Sequence, residues 1–311
     1  MVSIIIAAHN EANVLGHSLD AVLTGTRARP LEVIVVPNGC TDDTAEVARA
    51  REGVQIVELQ QGCKPAALNA GDGVAKSFPR IYLDADIVVP PGGVERLLNG
   101  LTSTTPVAVP KRRLALNGRP WAVRAYYAIN ESLPVFESGL FGRGMIALSE
   151  DGRSRFGEFP SLVADDMFLD AHFDDNEKAQ VAEVEVVIEA PFTTRDLVRR
   201  LIRVRRGLAA IRAAGRDGRI DVRIRETRRW SWLRDVVLRQ PRLIPAGFAY
   251  AAITIAASAL ARRGSVSNMD WGRDESTRQP RTASEQDSQE PASATRMPRG
   301  SHGTGLREDP R

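Results

Sequence analysis

The sequence predicts an α/β fold, a mostly parallel sheet with helices on both faces, followed by a basic helical C-terminal region. Three observations point there. Four short apolar runs in the first 90 residues are separated from one another by helix-like segments. The runs are near-continuous in Val, Ile and Leu rather than alternating, as expected of strands buried on both faces. Polar triplets, His9-Asn10-Glu11, Pro37-Asn38-Gly39 and Asp84-Ala85-Asp86, stand at the ends of three of these runs, and open parallel sheets bind ligands beyond the carboxyl ends of their strands.

Taken in order, Val2–Ala8 predicts the first strand and Ala12–Leu23 the first helix. Leu31–Val36 is the second strand. Asp42–Arg51 is the second helix, with Asp42 and Asp43 placed to cap its free N–H groups and to suit the positive end of its dipole. Val54–Leu59, the helix Pro65–Lys76 and the strand Arg80–Leu83 complete the alternation. Pro90-Pro91-Gly92-Gly93 breaks the chain before a helix at Val94–Leu101. Between Val107 and Leu148 the turn at Asn117-Gly118, the aromatic residues Trp121, Tyr126 and Tyr127, and Gly139, Gly142 and Gly144 suggest a shaped, partly mobile binding surface. Ala182–Ile188 alternates like an edge strand. Leu243–Ala261 is an uncharged run of 19 residues bounded by Arg239, Arg242, Arg262 and Arg263. That length is near the minimum for a membrane span, but Pro245, Gly247 and Tyr250 suit a buried or interfacial helix equally well. From Gly264 onward the composition is polar, and a disordered tail is expected.

The 311 residues carry a net charge of only +3, which conceals an asymmetry. Between Arg195 and Arg242 stand sixteen Arg, no Lys and five acidic residues, a local +11, so the remainder sums to −8. Such a segment is either a solvated Arg-rich face or a contact for anions: phospholipid headgroups, a polyprenyl phosphate or nucleic acid. Nucleic acid is disfavoured, because no recognised motif or interleaved stacking aromatics accompany the arginines. The cluster leads straight into the apolar Leu243–Ala261 run, which favours peripheral membrane contact at the inner face of the plasma membrane. Two cysteines without metal-type spacing and four scattered His argue against a zinc site or disulfide framework and fit a reducing cytosol. No basic region precedes Val2-Ser3-Ile4, so no signal peptide is expected. No G-x-G-x-x-G follows the first strand, which argues against a dinucleotide dehydrogenase.

The chemistry lies at the strand ends. Asp84 and Asp86, one residue apart where a buried strand runs into a loop, can hold a divalent cation against a diphosphate. Glu11 and Asn38 at neighbouring strand ends could hydrogen-bond a base and ribose, although Asn38-Gly39 equally fits a tight turn with positive φ. Lys64 opens the third helix and either reaches a diphosphate or stays solvated, while Asn69 on the same helix reads as structural. Asp165 and Asp166 begin another helix, as caps or as reacting groups.

Four motifs stand in one order: Ala7-Ala8-His9-Asn10-Glu11, then Val36-Pro37-Asn38-Gly39-Cys40-Thr41-Asp42-Asp43-Thr44, then Gly62-Cys63-Lys64-Pro65 through Asn69-Ala70-Gly71, and finally Asp84-Ala85-Asp86. In that order they resemble the nucleotide-sugar domain of the family-two glycosyltransferases, closely over residues 1–100 and more loosely over 135–210. The resemblance implies the GT-A form of the α/β fold, with residues 1–105 as a nucleotide-sugar-binding half and 106–194 as the acceptor-binding half. Residues 195–263 are then a basic and apolar helical region suited to membrane association, and 264–311 the tail. It implies that Ala8, Asn10, Glu11, Asn38 and Lys64 contact the donor, that Asp84 meets ribose or metal, and that Asp86 coordinates Mg²⁺ or Mn²⁺. The family usually has Asp where this chain has Asn38, reading the uracil N3–H; the amide keeps an acceptor and adds a donor, so UDP- and GDP-sugars both stay open. Asp166 is implied as general base on the acceptor hydroxyl with Asp165 orienting it, though the two could exchange roles. Arg200-Leu201-Ile202-Arg203-Val204 looks like a degenerate Gln/Arg-x-x-Arg-Trp element lacking the Trp, and implies Arg203 and Arg200 as ligands for the diphosphate or an acceptor phosphate. The implied activity is inverting sugar transfer to a hydroxyl on a glycan, polyprenyl-linked or lipid-linked acceptor. A sugar nucleotidyltransferase is the nearest rival, but its N-terminal Gly-rich loop with Arg and Lys is absent. A non-catalytic membrane-surface protein retaining a nucleotide-sugar pocket is the rival from another class.

Overall fold

The structure, a computed structural model, describes residues 1–26, 29–162, 164–220 and 230–263; the tail expected from Gly264 onward lies outside the described residues. Strands β1 (Val2–Ala8), β2 (Leu31–Pro37), β3 (Val54–Ile56), β4 (Arg80–Leu83), β5 (Val107–Ala115), β6 (Met145–Leu148) and β7 (Lys178–Glu189) form one seven-stranded sheet in the order β3-β2-β1-β4-β6-β5-β7. β6 pairs antiparallel with both β4 and β5, and the remaining pairings are parallel. The helices are α1 (Ala12–Gly25), α2 (Thr44–Arg49), α3 (Lys64–Val74), α4 (Gly93–Asn99), α5 (Trp121–Asn130), α6 (Val135–Ser138), α7 (Glu150–Ser154), α8 (Asp165–Asp170), α9 (Thr194–Arg216) and α10 (Ile244–Arg263).

The period-two geometry of β1 explains its unbroken apolar sequence. Val2, Ile4, Ile6 and Ala8 face Leu15, Leu19 and Val22 of α1 and Leu97 of α4, whereas Ile5 and Ala7 face Ala67 and Leu68 of α3 on the other side. Each fully buried Ile contributes roughly 1.5–3 kcal/mol, so neither face of this strand tolerates a polar run. Ser3 is the one polar exception in β1; its hydroxyl donates to the Ser77 carbonyl at 2.9 Å. β1 and β4 therefore match the sequence expectation residue for residue, and β2 runs one residue further, to Pro37.

Elsewhere the boundaries move. The third strand stops at Ile56, although Leu59 still bridges Asn38. The second helix starts at Thr44 rather than Asp42, and Asp42 acts from outside it, accepting from the Thr44 N–H at 3.1 Å. The expected edge strand is real but longer, twelve residues, with a register shift opposite Pro110/Lys111. The aromatic expectation needs correcting. Tyr126 and Tyr127 are buried, and Tyr126 stacks on Tyr250 of α10 with ring centroids 5.0 Å apart, so these rings seat a helix instead of lining a ligand surface. Of the three, only Trp121 is exposed.

α10 shows why its sequence supported two readings. Gly247, Ile253 and Ala257 pack inward, where the helix meets α5 and α9, and Ser258 accepts from Arg205 at 2.9 Å. Ile244, Phe248, Ala252, Ile255 and Leu260 recur along the opposite side and are exposed. Both sides of the helix are apolar, but among the described residues only one is covered.

Candidate active site

Two loops laced to each other form the floor of the site. Beyond β1, Asn10 takes a positive φ of 52° and its side-chain oxygen accepts from the Thr41 N–H at 2.8 Å. The Glu11 N–H donates to the Thr44 hydroxyl at 2.7 Å, and Asp42 accepts from the Ala12 N–H at 3.1 Å. The Glu11 side chain is buried beneath these contacts. Beyond β2, the chain turns at Gly39 with φ 58°, and a Cβ there would lie 2.4 Å from the Gly62 nitrogen. Glycine is thus required twice over, for the dihedral and for the close approach of the loop that carries Cys63 and Lys64.

Asn38 departs from the expectation that its side chain reads a base. The residue is fully buried; its Nδ2 donates to the Ala8 carbonyl at 2.7 Å and to the Val36 carbonyl at 3.2 Å, and its Oδ1 accepts from the Cys63 N–H at 3.0 Å. The Ala8 carbonyl also accepts from the Asn38 backbone N–H at 2.9 Å. Both ends of the amide are engaged inside the protein, so Asn38 ties three loops together. Asn69 is structural as expected, exchanging two hydrogen bonds with the backbone of Phe159 at 3.0 and 2.7 Å.

Above this floor the chain brings together residues far apart in sequence. Lys64, at the start of α3, donates from Nζ to Asp84 at 2.7 Å and lies 2.9 Å from Asp165 at the start of α8. Burial alone would depress its ammonium, but Asp165 and Asp84 together hold it above the usual lysine range. Asp166 is fixed by two backbone donors, the Gly142 N–H at 3.0 Å and the Met167 N–H at 2.8 Å. Burial, then the adjacent Asp165, push its carboxyl up to about 6, against the opposing pull of Lys64 and the Gly142 N–H. Each oxygen retains a lone pair after these bonds, so a hydroxyl can still approach. Asp165 and Asp166 are not the N-cap of α8, which is Ala164. Asp170, one turn on, anchors that helix by accepting from the Leu140 N–H at 3.0 Å and from Lys178 at 2.8 Å.

Asp84 lies at the close of β4, its N–H donating to the Gly144 carbonyl at 2.8 Å, and Asp86 is exposed on the loop beyond. Among the described residues no group of three or more His, Cys, Asp or Glu is arranged to hold a metal. Two carboxylates at the rim of a cleft nevertheless suit a hard cation that draws its other ligands from phosphate and water. Arg200 and Arg203 lie on α9. Arg200 is felt electrostatically by Arg112 of β5, and Arg112 in turn by Arg143. Neither Arg112 nor Arg143 was singled out from the sequence. The available signal was an arginine flanked by glycines at Gly142-Arg143-Gly144 and a basic triplet, Lys111-Arg112-Arg113, inside an apolar strand.

Comparison with known proteins adds three findings. Residues 3–146 match the family described as Glycosyl transferase family 2. The succinoglycan biosynthesis protein ExoU of Rhizobium meliloti (strain 1021) is 34% identical over 103 residues, which are 32% of this chain and 30% of that protein. This chain thus spans less than a third of that relative's length. Among solved structures, the mannosyltransferase PcManGT from Pyrobaculum calidifontis, in complex with GDP-Man and Mn²⁺, is similar with a TM-score of 0.52 and 21% identity, over 85% of this chain and 76% of that one. At that identity the likeness concerns the fold.

Proposed function

We propose, from the match of residues 3–146 to Glycosyl transferase family 2 and the likeness in fold to a solved glycosyltransferase, that the chain moves a sugar from a nucleoside-diphosphate sugar to a hydroxyl acceptor, with inversion at the anomeric carbon and Asp166 as base. The observation that carries this is the Lys64 bridge, which joins the donor-side Asp84 to the acceptor-side Asp165, next to a carboxyl whose affinity for a proton is raised to about pH 6. A group with that pKa is ionised at neutral pH yet basic enough to accept a proton as the acceptor oxygen attacks.

In the proposed step Asp166 takes the hydroxyl proton while the oxygen forms its bond to the anomeric carbon from the face opposite the diphosphate. The bond from that carbon to the phosphate oxygen breaks, and its electron pair leaves with the nucleoside diphosphate. Asp86 and Asp84 are the residues that would hold Mg²⁺ or Mn²⁺, and the bound cation supplies neutralisation of the leaving charge. Lys64 keeps Asp84 and Asp165 from repelling one another and holds the two halves in register. Asn10 and Glu11, with Ala8 and Asn38 beneath them, frame the nucleotide pocket. The amide of Asn38 contributes by setting the pocket's shape, which leaves UDP- and GDP-sugars both eligible. On this division residues 1–105 bind the donor, 106–194 carry the acceptor side, and 195–263 support both from the basic helical region.

Two features support peripheral contact with the inner face of the plasma membrane. The exposed apolar stripe of α10 is bordered by Arg242, Arg262 and Arg263, and the docked opposite side keeps the helix against α5 and α9. A helix so docked lies along a bilayer surface without crossing it. The acceptor would then be a glycan on a lipid or polyprenyl carrier, or a free glycan presented there.

The deciding experiment incubates the full chain with a panel of UDP- and GDP-sugars, with and without Mn²⁺, and follows nucleoside diphosphate release and the anomeric configuration of the product by NMR. Metal-dependent release with an inverted product is expected. Tight donor binding without turnover against any acceptor supports the non-catalytic binding protein instead, and conversion of the nucleotide sugar with added pyrophosphate to nucleoside triphosphate and sugar 1-phosphate supports the nucleotidyltransferase.

A further inference from the structure

Joined to Asp166 through Gly142 is a group of arginines that the proposed chemistry does not use. Arg112 projects from β5 with its guanidinium carbon 4.2 Å from the centre of the Phe136 ring. Its Nη1 comes so close to Gly142 that a Cβ there would lie 3.0 Å away. Its Nη2 is buried and has no hydrogen-bond partner among the described residues. Arg143 is 3% exposed and spends its donors on main-chain carbonyls, those of Gly139 at 3.2 Å, Pro110 at 3.5 Å and Phe136. Carbonyl partners fix its position but leave its charge uncompensated. Arg200 approaches from α9.

These charges burden one another. Burial lowers Arg112, and Arg200 lowers it further, with Glu131 opposing. Burial, then Arg112, bring Arg143 down to about 10. Glu131 is the carboxylate that faces Arg112; burial raises its own pKa and Arg112 opposes that rise. A desolvated guanidinium N–H left without an acceptor is costly. Arginines gathered this way, with a buried N–H left unmatched, are an arrangement completed by an anion that accepts in the plane of the fork. Gly142 fixes where that anion lies relative to the chemistry: its N–H donates to Asp166, and its α-carbon abuts Arg112.

We infer that Arg112 and Arg200, backed by the fixed charge of Arg143, bind a phosphate group of the acceptor, carried close to the hydroxyl that Asp166 deprotonates. This rests on the glycosyltransferase reading for its purpose but not for its existence, since the anion site is defined by the arginines alone. It also divides the tasks left open for the basic residues: Arg200 serves the acceptor phosphate and not the leaving diphosphate. A phosphate on a lipid carrier and one on a soluble sugar or polyol share this chemistry.

The test is calorimetric titration of the full chain, without divalent metal and at constant ionic strength, with inorganic phosphate and with decyl phosphate. Saturable binding is expected for the wild type, weakened tenfold or more in Arg112→Gln and in Arg200→Gln, and retained in Asp86→Ala. Arg200 is on a helix surface, so its variant keeps the measurement valid if Arg112→Gln does not fold. Decyl phosphate binding tighter than inorganic phosphate identifies a lipid-borne group; equal binding identifies a soluble one. Wild-type affinity in both arginine variants, or no saturable binding of either probe, overturns the inference. A parallel titration with UDP and GDP in Mn²⁺ keeps the two ideas apart. Its failure in the wild type sinks the transferase reading and leaves the phosphate site standing, whereas normal nucleotide binding in the arginine variants assigns any loss to the acceptor side.

Discussion

The proposed donor side and the proposed acceptor side of this site treat polar groups in opposite ways. At the ends of β1 and β2, Asn10, Asn38, Asp42 and Thr44 all engage backbone or one another, so the floor beneath the nucleotide is complete before any ligand arrives. Around Gly142 the guanidiniums of Arg112, Arg143 and Arg200 crowd one another, and a buried N–H of Arg112 stays unmatched among the described residues. A surface that meets the same nucleotide in every turnover can be rigid and self-satisfied. One that must accept and release a particular anion holds its charge ready and bears the repulsion meanwhile. Lys64 stands on the boundary, paired to one carboxylate from each side.

The comparison breaks most readily at Asp166. Asp166→Asn is expected to lower transfer about a thousandfold while circular dichroism and nucleotide binding stay near wild type; full activity would return the base to Asp165. Lys64→Met comes next, with a loss of about a hundredfold from misplacement of the two acidic sides. It also carries a pH signature. In the wild type the base form of Asp166 is needed, so kcat/KM should fall as pH drops through about 6. Lys64 pulls that value down, so in the methionine variant the acid limb should move to higher pH, and an unmoved limb would remove Lys64 from the field of Asp166.

Asn38→Ala tests the rigid floor. It removes three buried hydrogen bonds and should cost about 2 kcal/mol or more of stability, visible as a lower Tm. Weaker donor binding with an unchanged Tm would mean that the amide does meet the base. The smallest effect is expected at the rim: Phe248→Ser, on a side chain 72% exposed, should leave Tm and turnover of a soluble acceptor unchanged. It should reduce binding to anionic vesicles about tenfold, and undiminished binding would detach α10 from the membrane.

The same contrast explains what the sequence made legible. β1, β2 and β4 are short, doubly buried and carry their polar residues at one end, so local composition announces both the strand and the cleft above it. Asp84, Asp86, Asp165 and Asp166 stood out because paired acids at element boundaries are locally visible. Arg112 and Arg143 did not, because their meaning depends on being brought together with Arg200 across 57 and 88 residues of chain, and arginine is common throughout this sequence. Asn38 was found, but its direction was not: whether an amide faces ligand or backbone depends on where the Cys63 loop passes. Tyr126 and Tyr127 were misplaced for the same reason: Tyr127 packs on Tyr126, whose stacking partner Tyr250 is supplied by a helix more than a hundred residues later.

The reversed strand β6 has a consequence for how tolerances are shared. The chain enters β6 at the edge where its neighbours leave the sheet, so Gly142 and Gly144 arrive at the site together. Gly142 holds Asp166 and Gly144 holds Asp84. The proposed proton acceptor and the proposed donor-side carboxylate are therefore indexed to the same three residues of main chain. A displacement of that short segment cannot detune one without detuning the other, and insertions or deletions there would be felt as a loss of synchrony between the two substrates rather than of affinity for either.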